Sequence, residues 1–183
     1  MARAIGLDIG AGSIKVVELG GSKSSPKIQR LAVREIPKPP PDADDDYNAD
    51  AVLAAEIKSV FAELHVPKDD VCASFDSGVT VFREIMVPFL EEDQIKKVIR
   101  FEAENHLHNH AIEDVVVNWI KTGQTRDGSR VMIFASPKDE LERRMEILRK
   151  AGITPASVDL DTSALYTALQ TINKFEDSPN CIV

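Results

Sequence analysis

The sequence contains few cysteines and few aromatic residues, with 2 cysteines, 1 tryptophan and 2 tyrosines among 183 residues. Cys72 and Cys181 each stand alone in an apolar run, so we expect two buried free thiols and no disulfide or cysteine metal site. Basic residues are also scarce, because 22 lysines and arginines face 30 acidic residues. The resulting net charge of −8 argues against nucleic acid or an anionic membrane surface as the main partner.

Long apolar segments are missing as well. No run approaches the ~18 apolar residues of a membrane span, and the first residues lack the apolar segment of a signal peptide. We therefore expect a cytoplasmic protein without direct membrane insertion. The sequence also contains no Gly-x-Ser-x-Gly or similar nucleophile motif, so no catalytic residues are assigned.

A glycine-rich turn near the N-terminus is the feature around which the chain is organised. The pattern predicts an apolar strand over residues 4–9, a tight turn over 10–13 and a second strand over 14–19. These segments form a β-hairpin, which distinguishes them from the strand-to-helix loops of many nucleotide-binding proteins.

The residue types in this hairpin suggest phosphate binding. Gly10 and Gly12 are expected to allow positive φ, so that backbone N–H groups point towards an anion, while Ser13 and Lys15 add a hydroxyl and a positive charge. Asp8 is placed to hold a hydrated Mg²⁺ beside that anion. A purely structural hairpin is the alternative, because glycine-rich turns between strands are common.

The rest of the chain alternates between strands and helices. Ser136 is expected to cap a helix with Pro137 at its first position, and Gly152 to end that helix. Residues 180–183 are typical of the start of a buried strand, so we expect the chain to be part of a longer protein. The pattern predicts further strands over residues 27–36, 71–75, 78–87, 114–121, 130–135 and 157–160, and helices over 50–64, 91–107, 136–151 and 161–174.

His106, His108 and His110 lie close together at the end of one predicted helix. A metal site is one interpretation, and a solvated helix end is the other. At helical spacing His108 points away from the other two, and no cysteine or suitable carboxylate set lies nearby, which favours the solvated end.

The order of these elements resembles that of the actin-like ATPase superfamily, and in particular the PilM family of type IV pilus assembly proteins, which are relatives of the division protein FtsA. The matching segments are residues 6–19, 82–88, 99–104, 135–140 and 150–161. Together they extend over nearly the whole chain, so the resemblance is specific to PilM-like proteins.

The resemblance implies an α/β fold of the actin-like (ribonuclease H-like) type. Subdomain 1A would consist of residues 1–78 and 156–176, and an inserted αβ subdomain 1C of residues 79–155. Residues 177–183 would begin the second half of the fold, which this chain lacks.

The resemblance also identifies the hairpin with the first phosphate loop of the family, with Asp8 towards the metal and Lys15 towards the phosphates. The second phosphate loop and the adenosine motif would lie beyond Val183. ATP with Mg²⁺ is therefore expected in the full-length protein, and none is expected to bind this chain alone. The matching cofactor-binding residues are Asp8, Gly10, Ala11, Gly12, Ser13 and Lys15.

The function implied is that of a cytoplasmic scaffold with weak or no ATPase activity, peripheral to the inner membrane through its partners. Its groove between 1A and 1C would bind the cytoplasmic tail of a PilN-like membrane protein, with residues 79–87 and 93–107 as candidate walls. Other pilus inner-membrane components, the pilus motor ATPase and a homo-oligomer are further expected partners. The alternatives are an ATPase or sugar-kinase-like phosphotransferase, or an FtsA-like filament-forming division protein.

Overall fold

The described part of the chain folds into two compact units, each with its own sheet and its own core. The first unit draws on Met1–Asp76 and Glu146–Val183, and the second is formed by Ser77–Met145. The structure is a computed structural model that describes residues 3–22, 25–42, 47–107 and 110–172.

Eight strands and four α-helices follow one another in the described residues. Short 3₁₀ turns lie at Ser77–Val79 and Ile112–Asp114. The elements are β1 (Ala4–Ile9), β2 (Ser13–Ser22), β3 (Ser25–Glu35), α1 (Ala49–Leu64), β4 (Val71–Phe75), β5 (Val81–Val87), α2 (Glu92–His106), β6 (Val115–Gln124), β7 (Ser129–Pro137), α3 (Lys138–Lys150), β8 (Ser157–Leu160) and α4 (Asp161–Ile172).

A five-stranded sheet in the order β3-β2-β1-β4-β8 forms the first unit. The first three strands make an antiparallel meander, whereas β4 pairs parallel to β1 and β8 parallel to β4. Apolar residues alternate along β1 and β2, so one sheet face packs against α1 and the end of α3. The fully or almost fully buried residues of this core include Ile5, Leu7, Ile14, Val16, Ile57, Val60, Phe61, Val71, Leu148 and Ile153.

The second unit is a three-stranded antiparallel sheet in the order β5-β7-β6, packed against α2. The inward stripe of α2 contains Ile95, Ile99 and Ala103, which are buried together with Val131 and Ile133 of β7. The charge order of α2, with Glu92 and Asp93 in its first turn, suits the helix dipole.

Two predictions about where elements start are wrong. The strand predicted to start at Gly78 starts at Val81, because residues 77–79 form the 3₁₀ turn. Ser136 and Pro137 belong to β7, and α3 begins at Lys138. The reason is that β7 continues its ladder with β6 up to the pair of Val115 with Pro137, so strand pairing overrides the local capping signal.

Cys72 is exposed, which contradicts the predicted buried thiol. It lies on β4, where Val71, Ala73 and Phe75 take the buried positions and the intervening side chains point to the other face. Cys181, with the strand expected over 180–183, lies outside the described residues.

The boundary between the two units lies at 76/77 and again at 145/146. Ile147, Leu148, Ala151 and Ile153 pack in the first core, although the predicted subdomain 1C extends to residue 155. The assignment of 1A and 1C to these two units stays a prediction. None of the helices in the described ranges has both the length and the apolar character needed to cross a membrane.

Candidate phosphate-binding hairpin

The turn between β1 and β2 is held by backbone hydrogen bonds. The Gly10 N–H donates to the Ser13 carbonyl at 3.0 Å, which closes the turn. The Ile36 N–H donates to the Gly12 carbonyl at 3.0 Å and ties the turn to the end of β3. The predicted hairpin is thus confirmed, with β2 beginning at Ser13.

Asp8 and Lys15 face each other across the hairpin, because they are register partners in the β1–β2 ladder. Lys15 Nζ donates to Asp8 Oδ2 at 2.7 Å. The Lys15 side chain is 48% exposed and the Asp8 side chain is 38% exposed. The pair therefore lies at the surface, where both groups are accessible to a ligand.

Ser74 of β4 also binds the Asp8 carboxylate, and the sequence analysis missed it. Ser74 Oγ donates to Asp8 Oδ1 at 2.6 Å and accepts the N–H of Ile9 at 3.3 Å. The contact arises because β4 lies parallel beside β1, with Leu7 paired to Ala73. The only sign of this contact in the sequence is a polar residue within an otherwise apolar strand. That sign does not tell which side chain Ser74 contacts.

The predicted reason for the glycines is wrong. Within the described residues the glycines at positive φ are Gly21 and Gly152, so neither Gly10 nor Gly12 uses the left-handed region. A Cβ on Gly12 would meet nothing within 4 Å, and one on Gly10 would make only ordinary contacts, with Lys15 Nζ at 3.8 Å and the Ser13 carbonyl at 3.7 Å. What these glycines provide is a turn whose backbone is not covered by side chains.

The structure therefore brings together part of the predicted set. Asp8 and Lys15 are in direct contact, Ser13 contributes its carbonyl to the turn, and Ala11 and Gly12 are exposed at the tip. A carboxylate can face a magnesium ion, and an ammonium group and an open turn can face a phosphate. These residues therefore fit a magnesium-bound phosphate chemically.

The three histidines near the end of α2 are the second site that the sequence suggested. His106 is half-buried and its Nδ1 lies 2.8 Å from the Glu102 carbonyl, while His110 is exposed and His108 lies outside the described residues. Across the described ranges no group of three or more His, Cys, Asp or Glu side chains is arranged to hold a metal ion.

Glu146 and Arg149 of α3 have displaced pKa values. A hydrogen bond from Arg149 holds the pKa of the Glu146 carboxyl below its ordinary value, and the same bond raises the pKa of Arg149.

A hairpin at the start of a five-stranded sheet, followed after β4 by a separate αβ unit, defines an α/β protein of two units. The model of the family described as type IV pilus assembly protein PilM matches residues 6–179. The chain belongs to this family, which confirms the predicted relationship.

Solved structures agree with this assignment. A chain of a PilM–PilN type IV pilus biogenesis complex is 29% identical to this one, with a TM-score of 0.75 over 92% of this chain and 50% of that chain. This chain therefore spans about half the length of that PilM-type relative, and the predicted fold, the N-terminal half of a PilM fold, is confirmed.

More distant structures show the fold alone. The cytoplasmic domain of EpsL, an inner membrane component of the type II secretion system of Vibrio cholerae, is 13% identical, with a TM-score of 0.57 over 89% of this chain and 59% of that chain. A Bacteroides thetaiotaomicron protein with an actin-like ATPase fold and unknown function is 16% identical over 96% of this chain and 58% of that chain, and its TM-score of 0.46 is too low to support an argument.

Proposed function

We propose that this protein is a scaffold of type IV pilus assembly that binds the cytoplasmic tail of a PilN-like inner-membrane protein. The observation that supports this most directly is the similarity, over 92% of the chain, to a protein solved in a PilM–PilN complex. The protein would lie in the cytoplasm and reach the inner membrane through this partner.

The second unit carries the segments that we propose as contacts for the tail. Phe101 on α2 is 66% exposed, Met86 on β5 is 54% exposed, and Leu90, which lies between β5 and α2 in the chain, is 38% exposed. Exposed apolar side chains on rigid elements are the anchors through which a groove or face binds a peptide. Phe101 is the largest of the three and is the residue to test first.

We further propose that the hairpin binds the phosphates of ATP in the complete gene product. Lys15 would contact the phosphates and Asp8 would face a hydrated Mg²⁺, which would neutralise part of the phosphate charge. Phosphate would then compete with Asp8 for the Lys15 ammonium group, which in the structure binds Asp8 Oδ2 at 2.7 Å. No catalytic residue is proposed, because the role is binding.

The test of the scaffold function is a calorimetric titration of a synthetic PilN-like tail into the 183-residue chain and into the complete gene product, each with and without MgATP. We expect both proteins to bind the tail and Phe101→Ala to weaken binding by about tenfold, since a truncated anchor costs more than ~1 kcal/mol. Leu165→Ala is the matched control, because Leu165 is a similarly exposed apolar residue on α4 of the first unit. Absence of tail binding by the complete gene product would refute the proposed partner.

Nucleotide binding is tested separately on the complete gene product. Lys15→Ala should weaken ATP binding at least tenfold, because a charge-assisted contact to phosphate is lost. Lys27→Ala is the control, since Lys27 is an exposed lysine on β3 of the same sheet. If both variants bind ATP as the wild type does, the hairpin is a structural turn and this part of the proposal fails.

A further inference from the structure

Ser74 is the residue that extends the candidate site beyond the hairpin itself. It lies on β4, which is separated from the hairpin by α1 in the chain but pairs directly with β1 in the sheet. The described ladder between these strands runs from the pair of Ile5 and Val71 to the pair of Leu7 and Ala73. Ser74 follows immediately, beside Asp8.

The Ser74 hydroxyl joins the backbone and the carboxylate at this point. It accepts the Ile9 N–H at 3.3 Å and donates its single proton to Asp8 Oδ1 at 2.6 Å. Because a hydroxyl has one proton to donate, accepting from Ile9 and donating to Asp8 fixes the direction in which that proton points. The contact holds Asp8 through Oδ1, while Lys15 binds the other carboxylate oxygen, Oδ2.

The two Asp8 contacts respond differently to an incoming phosphate. The Lys15 contact is an ion pair, and an anionic ligand competes for its ammonium group. The Ser74 contact is formed by a hydroxyl on β4 of the five-stranded sheet. This hydroxyl is uncharged, so a phosphate does not attract it as it attracts the Lys15 ammonium group. Ser74 would therefore keep its contact with Oδ1 if Lys15 turned towards a bound phosphate.

We propose that Ser74 is a positioning residue that fixes the Asp8 carboxylate for a magnesium-bound nucleotide phosphate at the hairpin. This rests on the proposed nucleotide binding. Asp8 would act on the metal and Lys15 on the phosphates. Loss of the Ser74 hydroxyl should therefore weaken the binding of magnesium-bound ATP and leave the binding of metal-free ATP nearly unchanged.

The experiment compares ATP binding to the complete gene product with Mg²⁺ present and with Mg²⁺ removed by EDTA. Ser74→Ala should weaken MgATP binding about tenfold, which is the effect of one hydrogen bond to a charged group, and should leave binding of metal-free ATP within about twofold of wild type. Ser74→Thr keeps the hydroxyl and should restore MgATP binding. Cys72→Ala is the matched control, since Cys72 is an exposed residue on the same strand and the same sheet face.

The outcomes separate this proposal from the one on which it rests. If the wild type binds no ATP in either condition, nucleotide binding itself is refuted and the role of Ser74 with it. If the wild type binds MgATP and Ser74→Ala binds it equally well, only the role of Ser74 is refuted. Equal weakening with and without Mg²⁺ also refutes it, because the effect then reflects the shape of the turn. Should Ser74→Ala fail to fold, Ser74→Cys, a near-isosteric but weaker donor, must show the same magnesium-selective loss.

Discussion

Gly128 is the residue with the least room for a side chain among the described glycines. A Cβ at this position would lie 2.2 Å from the Val87 carbonyl oxygen and 3.1 Å from the carbonyl carbon, both backbone atoms that cannot rotate away. Its φ is outside the left-handed region. Glycine is therefore required here for the close approach of two backbone segments, whereas the turn conformation itself does not demand it.

Gly128→Ala should lower the free energy of unfolding by about 1–3 kcal/mol, the usual cost of forcing extra volume into a packed site. Urea denaturation followed by circular dichroism measures this change. Gly123→Ala is the control in the same sheet, because a Cβ there would make one ordinary contact, with Arg130 Cβ at 3.8 Å. Equal stability of the two variants would show that the Val87 contact relaxes without cost.

Residue-level predictions from the sequence succeeded where the cause is local. An Asp-Gly pair such as Asp127-Gly128 is a local turn signal, and here the Thr125 N–H donates to the Gly128 carbonyl at 2.8 Å. The approach of Val87 could not be predicted, since it joins residues about 40 positions apart in the chain. The contact between Ser74 and Asp8 was missed for the same reason, because it depends on which strand pairs with β1.

At the scale of elements, two helices end with the same hydrogen-bonding pattern. At the end of α3 the Ile153 N–H donates to the Leu148 carbonyl and the Gly152 N–H to the Arg149 carbonyl, each at 2.9 Å, around Gly152 with φ of 76°. This is a Schellman motif, and α1 ends in the same way. There the left-handed position is occupied by His65, with φ of 52°.

Opposite substitutions at these two helix ends should change stability in opposite directions. Gly152→Ala should lower the free energy of unfolding by about 1–2 kcal/mol, because a Cβ is disfavoured in the left-handed region, and His65→Gly should raise it by about 1 kcal/mol for the same reason. Chemical denaturation of both variants tests the pair. A stabilising Gly152→Ala or a destabilising His65→Gly would show that other contacts decide stability at these positions.

Element boundaries differ in how well the sequence predicts them. The end of α3, which lies at Lys150 just before Gly152, was predicted to within one residue because a helix end with glycine is a local feature. Its start was misplaced because Pro137 pairs with Val115 in the ladder between β7 and β6, which is a tertiary contact. The exposure of Cys72 is a similar case, since an apolar run alone does not tell which face of β4 is covered.

At the scale of the whole molecule, nearly all buried apolar residues of the described ranges fall into two clusters that share no member. One contains Ile57 of α1 and the inward residues of β1, β2 and β4, and the other contains Ile133 of β7 with the inward residues of β5 and α2. Periodicity within an element indicates which of its residues face inward. It could not assign the end of α3 to the first core, because both cores offer an apolar surface to an amphipathic helix.

Separate cores predict that damage to one unit stays within that unit. Ile57→Ala and Ile133→Ala each remove a fully buried side chain, at 0% exposure in both cases, and each should cost about 2–5 kcal/mol. In hydrogen–deuterium exchange, Ile133→Ala should accelerate exchange in β5, β7 and α2 and leave β1, β4 and α1 close to wild type, while Ile57→Ala should do the reverse, because local opening follows the core that has lost contacts. The variants serve as controls for each other. If either one accelerates exchange equally in both sets of elements, the two units unfold as one cooperative body and the two-core description does not extend to stability.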